Sequence, residues 1–141
     1  MPSDRVIVIG TSSGGVDALK ILAGGLPSDF ATPICVVQHI APSAPGILHQ
    51  ILEGAGRLPA FKVVSGMPLR APGVYVAPPD FHLMVDKGTV RVTKGPRENR
   101  FRPAIDPLFR SAAYSYGPSA CCDSASRPRT RVRTATACCS R

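Results

Sequence analysis

No apolar run in this 141-residue chain approaches the length of a bilayer span, and no charged amino-terminal stretch leads into an apolar one. Neither a membrane-inserted protein nor a secreted one is expected, which leaves the cytoplasm as the expected location. Cysteine is sparse and poorly spaced for metal chemistry. Of five, Cys121-Cys122 and Cys138-Cys139 are adjacent pairs, and none stands in C-x-x-C spacing. A zinc site or disulfide framework is therefore not expected, and Cys35, inside an apolar run, reads as core. The common nucleotide motifs are lacking too: there is no G-x-G-x-x-G, and no Lys-Ser/Thr pair follows a glycine-rich loop. No metal or cofactor is expected.

Acidic residues are outnumbered 9 to 17 by Lys and Arg, for a net charge of +8. Residues 1–118 and residues 119–141 each contribute +4, so the last 23 residues are much the more basic per residue. They contain one branched aliphatic residue, Val132, and no aromatic one. Such a segment is not expected to build a core element. The expected organisation is one partial domain over residues 1–118 and a basic, cysteine-containing, disordered tail over 119–141. Arg, Ala, Ser, Thr, Pro and Cys are also what GC-rich DNA yields out of frame. A frame change or truncation after about residue 118 is the sharper expectation for this stretch.

What is present reads as α/β. Val6-Ile7-Val8-Ile9 is a short β-branched run bounded by glycine, as in a buried parallel strand. Val16, Leu19, Leu22 and Ala23 then recur at helical spacing before Gly24-Gly25 and Pro27. Thr32 to His39 forms a second strand, followed by a helix through Ile47, Leu48, Ile51 and Leu52 that Ser43 is placed to cap. Four short strand candidates over 61–64, 74–77, 82–85 and 90–93, separated by Gly and Pro turns, read as a set of hairpins. A helix over 106–114 follows, with Pro107 at its first position. The expected fold is a doubly wound, mostly parallel sheet with a hairpin insertion and with C-terminal strands missing.

Gly10-Thr11-Ser12-Ser13-Gly14-Gly15 drops a serine between the first strand and the first helix. Gly10, Ser12 and Gly14 match the G-x-S-x-G elbow, whose glycines permit a sharp turn with the hydroxyl exposed. The helix amino terminus behind it favours a developing oxyanion. Ser13 competes as nucleophile but lacks glycine two residues away on both sides. A serine hydroxyl needs a base. His39 ends the second strand, and in a parallel sheet the carboxyl ends of neighbouring strands share one edge. His49 falls inside a helix, and His82 follows the Pro78-Pro79 turn, facing solvent or the cleft. Spacing alone does not choose a third member among Asp80, Asp86, Asp106 and Asp123.

The segments VIVIGTSSGGVDALKILAGGLP, VVQHIAP, GVYVAPPDFHLMV and ENRFRPAIDPLFRSAA, in this order, resemble the catalytic domain of CheB-type protein-glutamate methylesterases of bacterial chemotaxis over about residues 5 to 118. The resemblance implies a doubly wound α/β fold and a Ser-His-Asp triad in which Ser12 is the nucleophile and His39 the base. It also implies hydrolysis of glutamate methyl esters, with deamidation of glutamines, on the cytoplasmic helices of methylated chemoreceptors. Arg97, Arg100 and Arg102 flank the last block and are placed to meet acidic helices. Two departures accompany it. Nothing after Pro118 resembles the glycine-rich T-G-M-x-x-D-G segment that carries the family's aspartate, and no receiver domain precedes the first strand. Weak activity is the resulting expectation.

Two other readings stand beside it. The Gly10 to Gly15 loop would serve a non-catalytic module as a cradle for phosphate or nucleotide. The arginine-rich tail would serve as a nucleic-acid-binding arm, although its lack of aromatics argues against base stacking, and no specific nucleic-acid partner is expected.

Overall fold

The computed structural model describes residues 4–12, 15–39, 43–98, 100–125 and 133–134. Five parallel strands form most of one sheet: β1 (Val6–Thr11), β2 (Ile34–Gln38), β3 (Ala60–Lys62), β4 (Val74–Val76) and β7 (Ala120–Ala125). The sheet order is β3-β4-β2-β1-β7, and a two-residue strand, β8 (Arg133–Thr134), runs antiparallel to β7. A separate antiparallel hairpin pairs β5 (His82–Asp86) with β6 (Thr89–Thr93). Among the described residues, three α-helices, α1 (Gly15–Gly25), α2 (Leu48–Ala55) and α3 (Ile105–Tyr116), and a 3-10 turn at Gly117–Ser119 complete the fold.

Strand alternation builds two cores, because successive side chains point to opposite faces. Val6, Val8, Cys35 and Val37 pack with Leu108 and Ala112 of α3 and with Leu83, Val85 and Val90 of the hairpin. Ile9, Ile34 and Val36 pack instead with Leu19 and Ala23 of α1 and Leu52 of α2. The sheet is thus wound on both faces. Its chain runs outward from β1 to β2 and beyond, then returns to the other side of β1 as β7. The strand order reverses at β1, and α/β sheets bind ligands outside the carboxyl ends of strands at such a reversal.

Polar side chains of α3 complete the edge of the hairpin. Val85 N–H donates to Ser111 Oγ at 3.0 Å, Ser115 Oγ donates to the Val85 carbonyl at 3.1 Å, and Gly88 N–H donates to Tyr116 Oη at 2.9 Å. Backbone groups that would otherwise be buried without partners are satisfied this way.

Several expectations are corrected. Of the four short strands read as hairpins, β3 and β4 are parallel neighbours at the sheet edge, and the connection from Lys62 to Val74 is far longer than a hairpin turn. Ser43 does not cap α2: the helix begins five residues later, after Ile47, without a side-chain cap. Pro107 is the third residue of α3, still within the first turn, where its missing N–H has no intrahelical partner to lose.

The largest correction concerns residues 120–125, which composition assigns to a coreless tail. They form a strand beside β1 whose Ala120 and Cys122 are buried against α3 and β1. Small side chains suffice there because β1 and α3 enclose the strand closely, so no branched aliphatic run announces it. The remainder of the expected tail, 126–132 and 135–141, lies outside the described residues. On the α1 side, an apolar cleft of about 170 Å³ lies between Ile7, Ile9, Leu22, Leu26, Phe30, Ile34 and Cys121.

Candidate functional site

Ser12 follows β1 and His39 follows β2 by one residue each, and the two strand ends are in register, Thr11 opposite Gln38. His39 N–H donates to the Thr11 carbonyl at 2.9 Å, which extends the ladder to the two candidates. On the other side of β1, Ala125 of β7 stands opposite Thr11. The Ser12 carbonyl accepts from Gly15 N–H at 2.9 Å as the chain turns into α1. Ser12 therefore lies three residues before the first residue of α1, on the side of its amino terminus, where partial positive charge gathers. Ser13 and Gly14 lie outside the described residues.

The glycines of this turn act through close packing. Gly10 is inside β1, and a Cβ there would overlap the Ile105 side chain at the start of α3. A Cβ on Gly15 would overlap Thr11. Both helices consequently approach the end of β1 more closely than any larger residue would allow. Two buried oxygens, Thr11 Oγ1 and Gln38 Oε1, sit one residue before the candidates and have no hydrogen-bond partner among the described residues. Unsatisfied buried groups are rare enough in folded proteins to single out this edge.

The alternation of β2 carries His39 onto the α3 side of the sheet. There its ring stacks on Phe101, with centroids 3.9 Å apart and planes 5° apart. Partial burial lowers the imidazole pKa below its ordinary value, and the negative charge of Asp106, in the first turn of α3, pulls it back up.

The four aspartates left open by spacing now separate. Asp80 is held by Arg102, whose Nε and Nη2 donate to Oδ1 at 2.8 and 2.6 Å, and by Lys94 at 3.2 Å. These contacts keep its carboxyl below the usual range, the Arg102 hydrogen bonds most of all. Asp86 pairs with Arg91 across the hairpin at 3.4 Å. Asp123 stands opposite Ile9, mid-strand rather than at the strand edge. Of Asp80, Asp86 and Asp106, whose side chains are described, Asp106 is the one whose charge is felt at His39.

Arg102 is half-buried in its pair with Asp80 and unavailable to an acidic partner, whereas Arg97 and Arg100 are exposed. His82, expected at solvent or in the cleft, is buried. Ala104 N–H donates to its Nδ1 at 3.2 Å, so Nε2 carries the proton and donates to the Pro96 carbonyl at 2.7 Å. It ties together the two ends of the segment that bears Phe101.

Residues 7–122 match the sequence pattern of the CheB methylesterase family. The chain belongs to the CheB methylesterase family. Over 117 residues it is 44% identical to protein-glutamate methylesterase/protein-glutamine glutaminase 2 of Anaeromyxobacter dehalogenans, an alignment covering 83% of this chain and 34% of that protein. A putative protein-glutamate methylesterase/protein-glutamine glutaminase of Leptospira interrogans is 39% identical over 113 residues, covering 79% of this chain and 58% of the relative. The crystal structure of the Thermotoga maritima CheB methylesterase catalytic domain superposes with a TM-score of 0.79 at 33% identity, covering 85% of this chain and 66% of that domain. This CheB-family chain thus spans less than two thirds of the length of each of these relatives.

Around His39, periodicity and spacing do not single out Phe101 and leave Asp106 as one of four candidate aspartates. One signal was available for Phe101: an aromatic residue amid the charges of Glu98-Asn99-Arg100-Phe101-Arg102, outside any apolar period.

Proposed function

We propose that this chain carries the nucleophile and base of a protein-glutamate methylesterase, acting in the cytoplasm on methylated glutamates of chemoreceptor helices, with glutamine deamidation at the same site. The observation that supports this most is the hydrogen bond from His39 N–H to the Thr11 carbonyl, which holds the two candidates at adjoining strand ends where the sheet order reverses.

In this reading Ser12 Oγ attacks the ester carbonyl while His39 takes its proton. The tetrahedral oxyanion forms beside the amino terminus of α1, and collapse expels methoxide, which leaves as methanol with the proton from His39. Water, deprotonated by His39, then attacks the acyl-enzyme and releases the glutamate carboxylate and the serine hydroxyl. Exposed Arg97 and Arg100 meet the acidic receptor surface. Residues 1–118 with the strand that follows form the catalytic portion.

Residues 119–141 contain no segment like the family's glycine-rich T-G-M-x-x-D-G, so in this reading the 141-residue chain works without that aspartate. In serine hydrolases that loss lowers turnover by about 10⁴-fold. Methanol release from methylated receptors is expected to fall about that far below the Anaeromyxobacter dehalogenans relative. An equal rate would overturn the expectation of weak activity. The assignment itself is tested by exposing the 141-residue chain to a fluorophosphonate probe and mapping the adduct by mass spectrometry. The adduct is expected on Ser12, absent in Ser12→Ala and slowed in His39→Gln. An adduct on another residue, or undiminished labelling of Ser12→Ala, would overturn it.

A further inference from the structure

The stack of Phe101 on His39 is not explained by core packing. Phe101 is 41% exposed and belongs to neither apolar cluster, and His39 is its described ring partner. The segment presenting it is nonetheless held firmly. Phe101 and Glu98 exchange both main-chain hydrogen bonds, at 2.9 and 3.0 Å, and Glu98 is gripped by Arg110 of α3 at 2.9 and 3.0 Å. On the other side, Arg102 is fixed to Asp80 and Ala104 to His82. Arg100, directly before the aromatic residue, has a φ of 70°, a left-handed conformation uncommon for a side-chain-bearing residue. Such conformations persist where surrounding contacts impose them, and they cluster at functional sites.

We propose that Phe101 is a positioning residue for His39, setting the plane of the imidazole from which the base works. This rests on the reading of His39 as the base. Proton transfer to either ring nitrogen occurs in the plane of the ring, whereas Phe101 covers a face. A phenyl ring offers no hydrogen-bond donor or acceptor in competition with substrate or Ser12, yet it removes the freedom to tilt. Its electron-rich face also tolerates the imidazolium formed when the proton arrives. A polar residue here would bond to the imidazole or leave its plane loose. The arrangement thereby restricts geometry, and misplacement of a reacting group by about 1 Å can cost about a hundredfold in rate.

The test uses the full chain with Phe101→Ala, Phe101→Leu and Phe101→Tyr, read in two ways. In the NMR spectrum the His39 ring protons are expected at upfield positions produced by the phenyl ring current. That displacement should be lost in the Ala and Leu variants and retained in Tyr, with the backbone amides of the β1–β2–β7 sheet unmoved. The rate of fluorophosphonate labelling at Ser12 should fall by about tenfold or more in Ala and Leu and return in Tyr. His39 ring signals indifferent to Phe101→Ala in a folded chain would overturn the proposal, as would labelling equal to wild type in a variant whose stack is lost. Unfolding of both Ala and Leu variants would make Phe101 a structural residue and overturn it too. An adduct on a residue other than Ser12 in the wild-type chain would instead refute the esterase reading, and the ring-current result separates the two failures.

Discussion

The main-chain N–H of His39 donates to the carbonyl of Thr11, 2.9 Å away, continuing the parallel ladder past the last paired residues of β1 and β2. The positions of Ser12 and His39 are thus set by the backbone of the sheet rather than by a mobile loop, and rigid elements place reacting groups more reliably. On that scaffold the imidazole acquires its surroundings from Phe101, in the segment before α3, and from Asp106 in the helix's first turn.

His39 is expected to titrate below the ordinary histidine value of about 6.5, because burial disfavours the imidazolium more than Asp106 favours it. Between the folded and the ordinary value, the unfolded chain binds the more protons, so stability rises with pH across that window and is lost as pH falls through it. Asp106→Asn removes the opposing charge and should move the midpoint further down. Titration of the His39 ring protons by NMR checks this, and a midpoint that stays or rises in Asp106→Asn would contradict it.

Gly10→Ala places a methyl group into the Ile105 side chain. A loss of about 1–3 kcal/mol in unfolding free energy is expected from such overpacking. Ile105→Ala in the same chain should recover part of it, since residues in contact couple by about 0.5–3 kcal/mol. Urea denaturation of the two single variants and the double variant measures the coupling, and strict additivity would show that the contact is not the cause.

His82→Ala removes the acceptor of the Ala104 N–H and the donor to the Pro96 carbonyl, both within the fold. A buried polar group left without its partner costs about 1–3 kcal/mol. Hydrogen exchange at the Ala104 amide should accelerate along with the loss of stability. Unchanged exchange there would mean that this amide is not held by the histidine.

Residues 120–125 test where the domain stops. A chain of residues 1–118 loses β7 and exposes the edge of β1, whereas one of residues 1–125 keeps the β1–β7 pairing. Cooperative thermal unfolding should be lost in the shorter chain and kept in the longer one. A cooperative transition in residues 1–118 would restore the boundary expected from composition.

Elements with a strong period were legible. The β-branched runs of β1 and β2 and the helical spacing in α1 and α3 announce themselves, because each must bury one side against a neighbour. β7 was not legible, since Ala-Cys-Cys-Asp-Ser-Ala has neither bulk nor branching. Its place follows from pairing with β1, a contact more than 100 residues away in the chain.

The serine turn, the histidine at the end of the second strand and the α/β class were all determined by the sequence alone, because they depend on local spacing and backbone chemistry. The sequence also carried the reason for Gly10 without revealing it, suggesting a turn where the folded chain requires room for Ile105. Only the tertiary structure decided which groups surround His39. Phe101 and Asp106 lie more than 60 residues further along the chain; the one stacks on the imidazole and the other acts on it through its charge because the return of the chain to β1 packs α3 across the sheet. No local period records a contact made by that crossover.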